Sequence, residues 1–506
     1  MNLEVSSPLA GYAAKYWIIH AQAGGKNESQ PSLLLGLIMK LLTEENIAFG
    51  NWVQLCNIDD NDYITSGKQQ DIAKPLYYAS LAGLTEATHA LLERGTDINA
   101  EKGRYGNALQ GAASKGHFTI AKLLIKKGAD VNTQGGRYGN ALQAATLRGH
   151  EAIVKLLIEK GADVNAQGGR YGNALQAASY GGYEAIVNLL IEKGADINVQ
   201  GGGYGNALQG ASYTGQEAIS KLLIQNGADV NAQGGFYSNA LRAASYQGHE
   251  GITKLLIENG ADVNAQGGFY SNALQAASHQ GHEGIAKLLI EKGADVNAQG
   301  EYCRNALQAA LYGGHEAIVK LLIHNGADVN VQGGEYGNAL QAASYEGHEA
   351  IVKLLIEKGA GINVQGGGYG NALQAASYGG HEAIVMLLIE KGADINVQGG
   401  GYGNALQAAS YGGHEAIVKL LIKNGADVNA QGGFYNNALR AASYQGHEGV
   451  IKLLIENGVD VNAQGGYCRN ALQAALYGGH EAISKLLTEN GADVKIGQEE
   501  DENAAL

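Results

Sequence analysis

The sequence predicts an all-α repeat fold, a solenoid of about 13 units of 33 residues each, preceded by a helical segment. Three observations carry this. The tripeptide "NAL", followed by Gln or Arg, begins at Asn107 and recurs at every thirty-third residue, through Asn140 and Asn173 to Asn470. That gives twelve copies without insertion or deletion, and a divergent thirteenth precedes them, with Pro75 and Leu76 in the places of Ala108 and Leu109. Within each unit the apolar residues keep a helical period, and glycines fall in register at the same places, as at Gly83 and Gly95. A chain of 506 residues is also too long for one ordinary core, whereas its 45% apolar content can support burial, so growth in one dimension fits both.

In chain order, "PLAGYAAKYWIIHAQAG" and "SLLLGLIMKLLTEEN" read as two helices, with Trp17 and Trp52 as packing anchors. This segment, residues 1–70, is expected to cap the first repeat. The array, residues 71–497, follows, and one unit shows its logic. Asn140 is a good N-cap, its side chain able to accept a first-turn N–H. "ALQAATL" supplies a short helix of small residues around Leu142, and Gly149 stops it. "EAIVKLLIEK" is a longer amphipathic helix, with Ile153, Leu156 and Leu157 on one face, ended by Gly161. "ADVNAQGGRYG" is too rich in glycine for helix and reads as an extended turn with a hairpin tip. One such unit cannot bury its apolar face alone, so stacked neighbours must supply the core. In the last unit Thr488 stands where the other units carry Ile or Leu, as at Ile158 and Ile455, with Ser484 one turn earlier. The two polar residues read as a C-terminal cap, and 498–506, including "QEEDEN", as an acidic solvated tail.

The pattern "GHEAIVKLLIEKGADVNA" resembles the ankyrin repeat, over roughly residues 74–497. The family's usual T-P-L-H is here N-A-L-Q, and its usual hairpin Asp is replaced by Gly. Asn can cap as Thr does, and Gln can hydrogen-bond where the family His would. The stretches "PLAGYAAKYWIIHA" and "PLYYASLAGL" resemble the helical segment before the array in fungal NACHT-type NTPases. A P-loop is missing, because Asp62 stands where a Gly is needed and Gln69 follows Gly67-Lys68.

Net charge is −14, with no clustered run of Lys and Arg, which argues against nucleic acid. Three cysteines, Cys56, Cys303 and Cys468, make no disulfide framework and suit a reducing compartment. No signal peptide is visible in "MNLEVSSPLAG", and the longest apolar run, "LLLGLIMKLL", is too short for a membrane span. The expectation is a soluble monomer in the cytoplasm or the nucleus, without a membrane partner.

Several patterns resemble catalytic or binding motifs and fail on spacing. Histidines such as His117, His150, His315 and His480 recur at one place in ten of the twelve copies, with Tyr183 and Gln216 in the other two. Helices packed about 8–10 Å apart cannot bring them to one metal ion, whose ligands lie about 2 Å from it. His150-Glu151 mimics the start of a zinc-protease motif, but Val154 stands where the second His belongs. His279 and His282 are separated by a turn. "QGGGYGNAL" lacks the third Gly of a dinucleotide loop, since position 206 is Asn. Cys303 and Cys468 take a place that is Tyr elsewhere, as at Tyr105, and read as fillers. No catalytic residue, cofactor or metal is expected.

Comparison among copies places function on the surface. The hairpin tip, three residues before each Asn, varies most: Arg104, Arg137 and Arg170 are basic, Phe236, Phe269 and Tyr302 aromatic, then Glu335 and glycines, then Phe434 and Tyr467. The end of the first helix varies too, as at Lys115, Arg148 and Gln247, and beside it runs a row of tyrosines including Tyr246 and Tyr312. The ankyrin resemblance implies that these places line the concave groove where partners dock. Rigidly held aromatic side chains are typical binding anchors. The expected function is therefore a non-enzymatic scaffold for a protein partner, with Phe236, Phe269 and Tyr302 as the central patch. The alternative is a sensor arm of, or a remnant from, a NACHT-type NTPase.

Overall fold

The computed structural model describes residues 31–42, 73–300, 304–334, 336–465 and 468–493. The helix expected around Trp17, the anchor Trp52, the tip residues Tyr302, Glu335 and Tyr467, Cys303 and the acidic tail lie outside them. The described residues form 27 helices and no named strand. The chain divides into two compact units, Met1–Asp262 and Val263–Leu506.

In the first unit the helix Pro31–Leu41 lies against Thr85–Glu93, burying Ile38 and Met39, with Leu42 just beyond its end. Six helix pairs follow, each a short inner helix and a longer outer one, such as Ala141–Leu147 and Glu151–Glu159. The inner helix begins where the Asn140 side chain accepts the Gln143 N–H at 2.8 Å, while the Gln143 side-chain oxygen accepts the Asn140 N–H at 2.8 Å. This reciprocal pair satisfies two otherwise orphaned donors. Gly149 follows with φ +73, which turns the chain sharply into the outer helix.

The core is a stack of inner helices. Ala108–Lys115 packs between Pro75–Leu81 and Ala141–Leu147, and the pattern continues along the unit. Alanines at the contacts, such as Ala144 and Ala145, are fully buried and let the backbones approach closely. Leu142, Ile153 and Leu157 fill the space between inner and outer rows. Each buried Leu or Ile contributes about 1.5–3 kcal/mol. Lys155 and Glu159 face solvent from the far side of the outer helix.

Polar joints fix the spacing between repeats. The Gln143 side-chain amide donates to the carbonyls of Ala166, at 3.1 Å, and Gly172, at 2.7 Å, in the next hairpin. The Asn132 amide donates to the Gly161 carbonyl at 3.1 Å, and its oxygen accepts the Asp163 N–H at 2.8 Å. His150 Nε2 lies 3.2 Å from the Ser114 carbonyl, 36 residues earlier, and a carbonyl only accepts, so Nε2 carries the proton.

The second unit repeats this plan in seven helix pairs, from Ala273–Gln280 and Glu283–Glu291 to Ala471–Tyr477 and Glu481–Glu489. Gln341 and Gln374 make the same hairpin bonds, and His381, His414 and His447 the same strut to the preceding inner helix. In the final pair Thr488 is exposed and Ser484 half-buried, each hydroxyl donating to the carbonyl one turn back. Ser220, at the same repeat position as Ser484, is fully buried.

Candidate functional site

Many hairpins are closed by a pair of glycines, as where Gly135 donates to the Gly139 carbonyl at 2.6 Å, while Ser238, Ser271, Arg304, Asn436 and Arg469 take the second place in others. Several neighbouring tips are joined by a backbone bond. The Arg137 N–H donates to the Arg104 carbonyl at 2.9 Å, Arg170 to Arg137 at 3.3 Å, Gly203 to Arg170 at 3.0 Å, and Phe236 to Gly203 at 2.9 Å. In the second unit Gly401 donates to Gly368, and Phe434 to Gly401, both at 2.8 Å. A bond made by the backbone does not itself dictate the side chain, which is one physical reason this position varies between copies.

The aromatic tips are open to solvent: Phe236 is 69% exposed, Phe269 57% and Phe434 72%. Phe236 meets Tyr204 edge-on at 6.3 Å and lies over Gly203, where an added Cβ would come within 2.5 Å of its ring. Phe434 lies over Gly401 in the same way. Phe269 packs edge-on against Tyr270 at 5.0 Å. Phe236 belongs to the first unit, Phe269 to the second, and Tyr302 lies outside the described residues.

Behind the tips two rows of tyrosines interleave. One comes from the hairpins, the other from the ends of the inner helices. Tyr180 sits 5.1 Å from Tyr171 and 4.6 Å from Tyr204, and stacks on Tyr213 at 6.3 Å. In the second unit the zipper runs from Tyr336 to Tyr444, with Tyr378 and Tyr402 at 4.6 Å. The inner-row tyrosines therefore pack on one another and on the hairpin row. Tyr246, half-buried, leans on Tyr237, while Tyr312, 43% exposed, stacks on His279. Burial, then the hydrogen bond and charge of Tyr204, hold the Tyr180 phenol far above its usual range. The Tyr180 ring is neutral at physiological pH. The sequence shows Tyr two residues before most of the Asn caps, with Cys303 and Cys468 in the other two copies, but only the structure interleaves this hairpin row with the inner one.

The basic tips share one stretch of the first unit. Arg170 is exposed, Arg104 and Arg137 half-buried. Lys115 lies over the Tyr105 ring at 5.6 Å, and Arg148 donates to the Tyr138 hydroxyl at 2.9 Å. Cys468 is buried, and burial raises its thiol against the opposing charge of Arg440. Arg242 and Arg440, where other repeats carry Gln, are each only 1% exposed. Arg440 donates to the Arg469 carbonyl at 2.7 Å, but none of the Arg242 guanidinium nitrogens finds a partner among the described residues. Burial pushes Arg242 down to about 10, still charged at neutral pH. In the sequence they stand only as the Arg alternative after "NAL", with no local sign of burial.

Among the described residues no group of three or more His, Cys, Asp or Glu side chains is placed to hold a metal ion, and no helix is long and apolar enough to cross a membrane. A family model described as ankyrin repeats (3 copies) matches nine overlapping stretches, the first 38–135 and the last 405–498. A protein of Monascus ruber named azaphilone pigments biosynthesis cluster protein L is 37% identical over 129 residues, which are 23% of this chain and 27% of that protein. The chain thus spans about a quarter of the length of this curated relative. The human ASB11 ankyrin repeat domain is 26% identical, with a TM-score of 0.39, over 44% of this chain and 98% of that structure.

Proposed function

The chain belongs to the ankyrin-repeat family, and from that premise we propose a non-enzymatic scaffold that holds a protein partner along its hairpin tips and inner-helix ends. The observation that carries this reading is the division of labour at the tip. The backbone makes the joint between repeats, and the side chain is left to vary and to face solvent. Aromatic side chains held in such places suit the anchor role, because a rigid exposed ring gains much contact area at little entropic cost. The anchors assigned are Phe236, Phe269, Tyr302, Phe434 and Tyr467, flanked by Tyr246 and Tyr312, with Arg104, Arg137 and Arg170 as a separate basic zone. The helix Pro31–Leu41, whose Ile38 and Met39 are buried, suits a cap on the first repeat.

The test starts with affinity capture from the native cell, using the whole chain as bait. The captured partner is then titrated against Phe236→Ala, Phe434→Ala and the pair. Truncating a true anchor costs about 2 kcal/mol or more, roughly a thirtyfold loss of affinity. Melting should hardly change, since exposed substitutions stay within about 0.5 kcal/mol. A partner that binds all the tip variants as tightly as the wild type overturns the assignment.

A further inference from the structure

Resting on the recognition reading above, we infer that the tips of the first three full repeats form a docking strip for an acidic, extended segment of a partner protein. The chain as a whole carries 49 acidic residues against 35 Lys and Arg. The hairpin and inner-helix segments 101–117, 134–150 and 167–183 reverse that balance, with Lys102, Arg104, Lys115, Arg137, Arg148 and Arg170 against Glu101 alone. All six are on the hairpin and inner-helix side of the repeats, and the tip backbones of Arg104, Arg137 and Arg170 are bonded in series.

The spacing fits a peptide. Beside the three arginines, Tyr105, Tyr138 and Tyr171 advance by 5.3 and then 6.5 Å between ring centroids. Alternate residues of an extended chain advance by about 6.6 Å. An extended segment with a carboxylate at every second position therefore presents one per repeat. Each guanidinium fork can take such a carboxylate with two parallel N–H donors. Single-stranded nucleic acid suits the strip less well. It binds by stacking bases on open aromatic faces, and Tyr105 and Tyr138 are only 1% and 4% exposed.

The full chain is titrated by fluorescence anisotropy with a labelled peptide alternating Glu and Ser. Gln–Ser and Lys–Ser peptides and an oligouridine of the same length serve as comparisons. The Glu–Ser peptide should bind, weaken as salt rises, and lose at least about thirtyfold in affinity in Arg104→Glu/Arg137→Glu/Arg170→Glu. Circular dichroism and melting should match the wild type; the triple Arg→Gln variant gives the same reading if charge reversal impairs folding. Glu–Ser binding no tighter than Gln–Ser, or affinity unchanged in the folded triple variant, overturns the strip. Tighter binding of oligouridine reassigns it to nucleic acid. A captured protein partner that depends on Phe434 but ignores the arginine triple overturns the acidic-segment assignment and leaves the scaffold reading standing.

Discussion

At the scale of single residues, two glycines with the same backbone do different work. Gly149 and Gly161 have φ of +73 and +85, a region that costs an L-residue about 1–2 kcal/mol. Around Gly161 a Cβ would meet nothing within 4 Å, whereas at Gly149 it would run into the Tyr183 ring of the next repeat. Gly161→Ala should therefore lose about 1–2 kcal/mol, and Gly149→Ala clearly more, by chemical denaturation. Equal losses would show that the ring moves aside freely and that only the turn matters. The sequence marks both glycines as helix stops, but nothing in it distinguishes them, because the obstruction belongs to a residue 34 positions further on.

At the scale of elements, the joints decide how pH acts. His117 and His150 donate from Nε2 to carbonyls of the preceding inner helix at 3.1 and 3.2 Å. Burial, offset in part by that bond, holds both imidazoles below their usual range; for His117 the charges of His150 and Lys115 add to the effect. The unfolded chain thus takes up the proton first. The contribution is complete above the unfolded value of about 6.5 and is lost as pH falls through the interval beneath it. In the double variant His117→Gln/His150→Gln, Tm should fall less steeply between about pH 6.5 and 5 than in the wild type. Gln is a fair replacement because Gln216 already fills this place. An unchanged slope would mean that these rings carry no protonation linkage. Much of each element was legible: the Asn140 cap, the Gly149 stop and the apolar stripe of Glu151–Glu159 are local, within one helix and its ends. The joints were not. Asn132 reads as one polar residue in a glycine-rich turn until its partners Gly161 and Asp163 are placed, and nothing local in the sequence marks Arg242 as buried.

At the scale of the whole molecule, stability is expected to accumulate by nearest neighbours. Gln341 reaches the carbonyls of Val364 and Gly370 at 3.0 and 2.7 Å, and Gln374 reaches Val397 and Gly403 at the same two distances. Removing Asn371–Gly403 should therefore let Gln341 meet the following hairpin with the bonds it makes now. The deleted chain should keep its helical circular dichroism per residue and melt slightly earlier, having lost one interface. Wholesale loss of helix would show that the joints are not equivalent. The separation of joint from tip has a further consequence for descent. Near-identical stretches invite slippage when the gene is copied, and a slip of one full period between like units, such as those of Gln341 and Gln374, leaves the joint matched. The tips are then letters on an unchanging backing, so the surface can be respelled by duplication, loss and reshuffling of whole words before any single letter mutates.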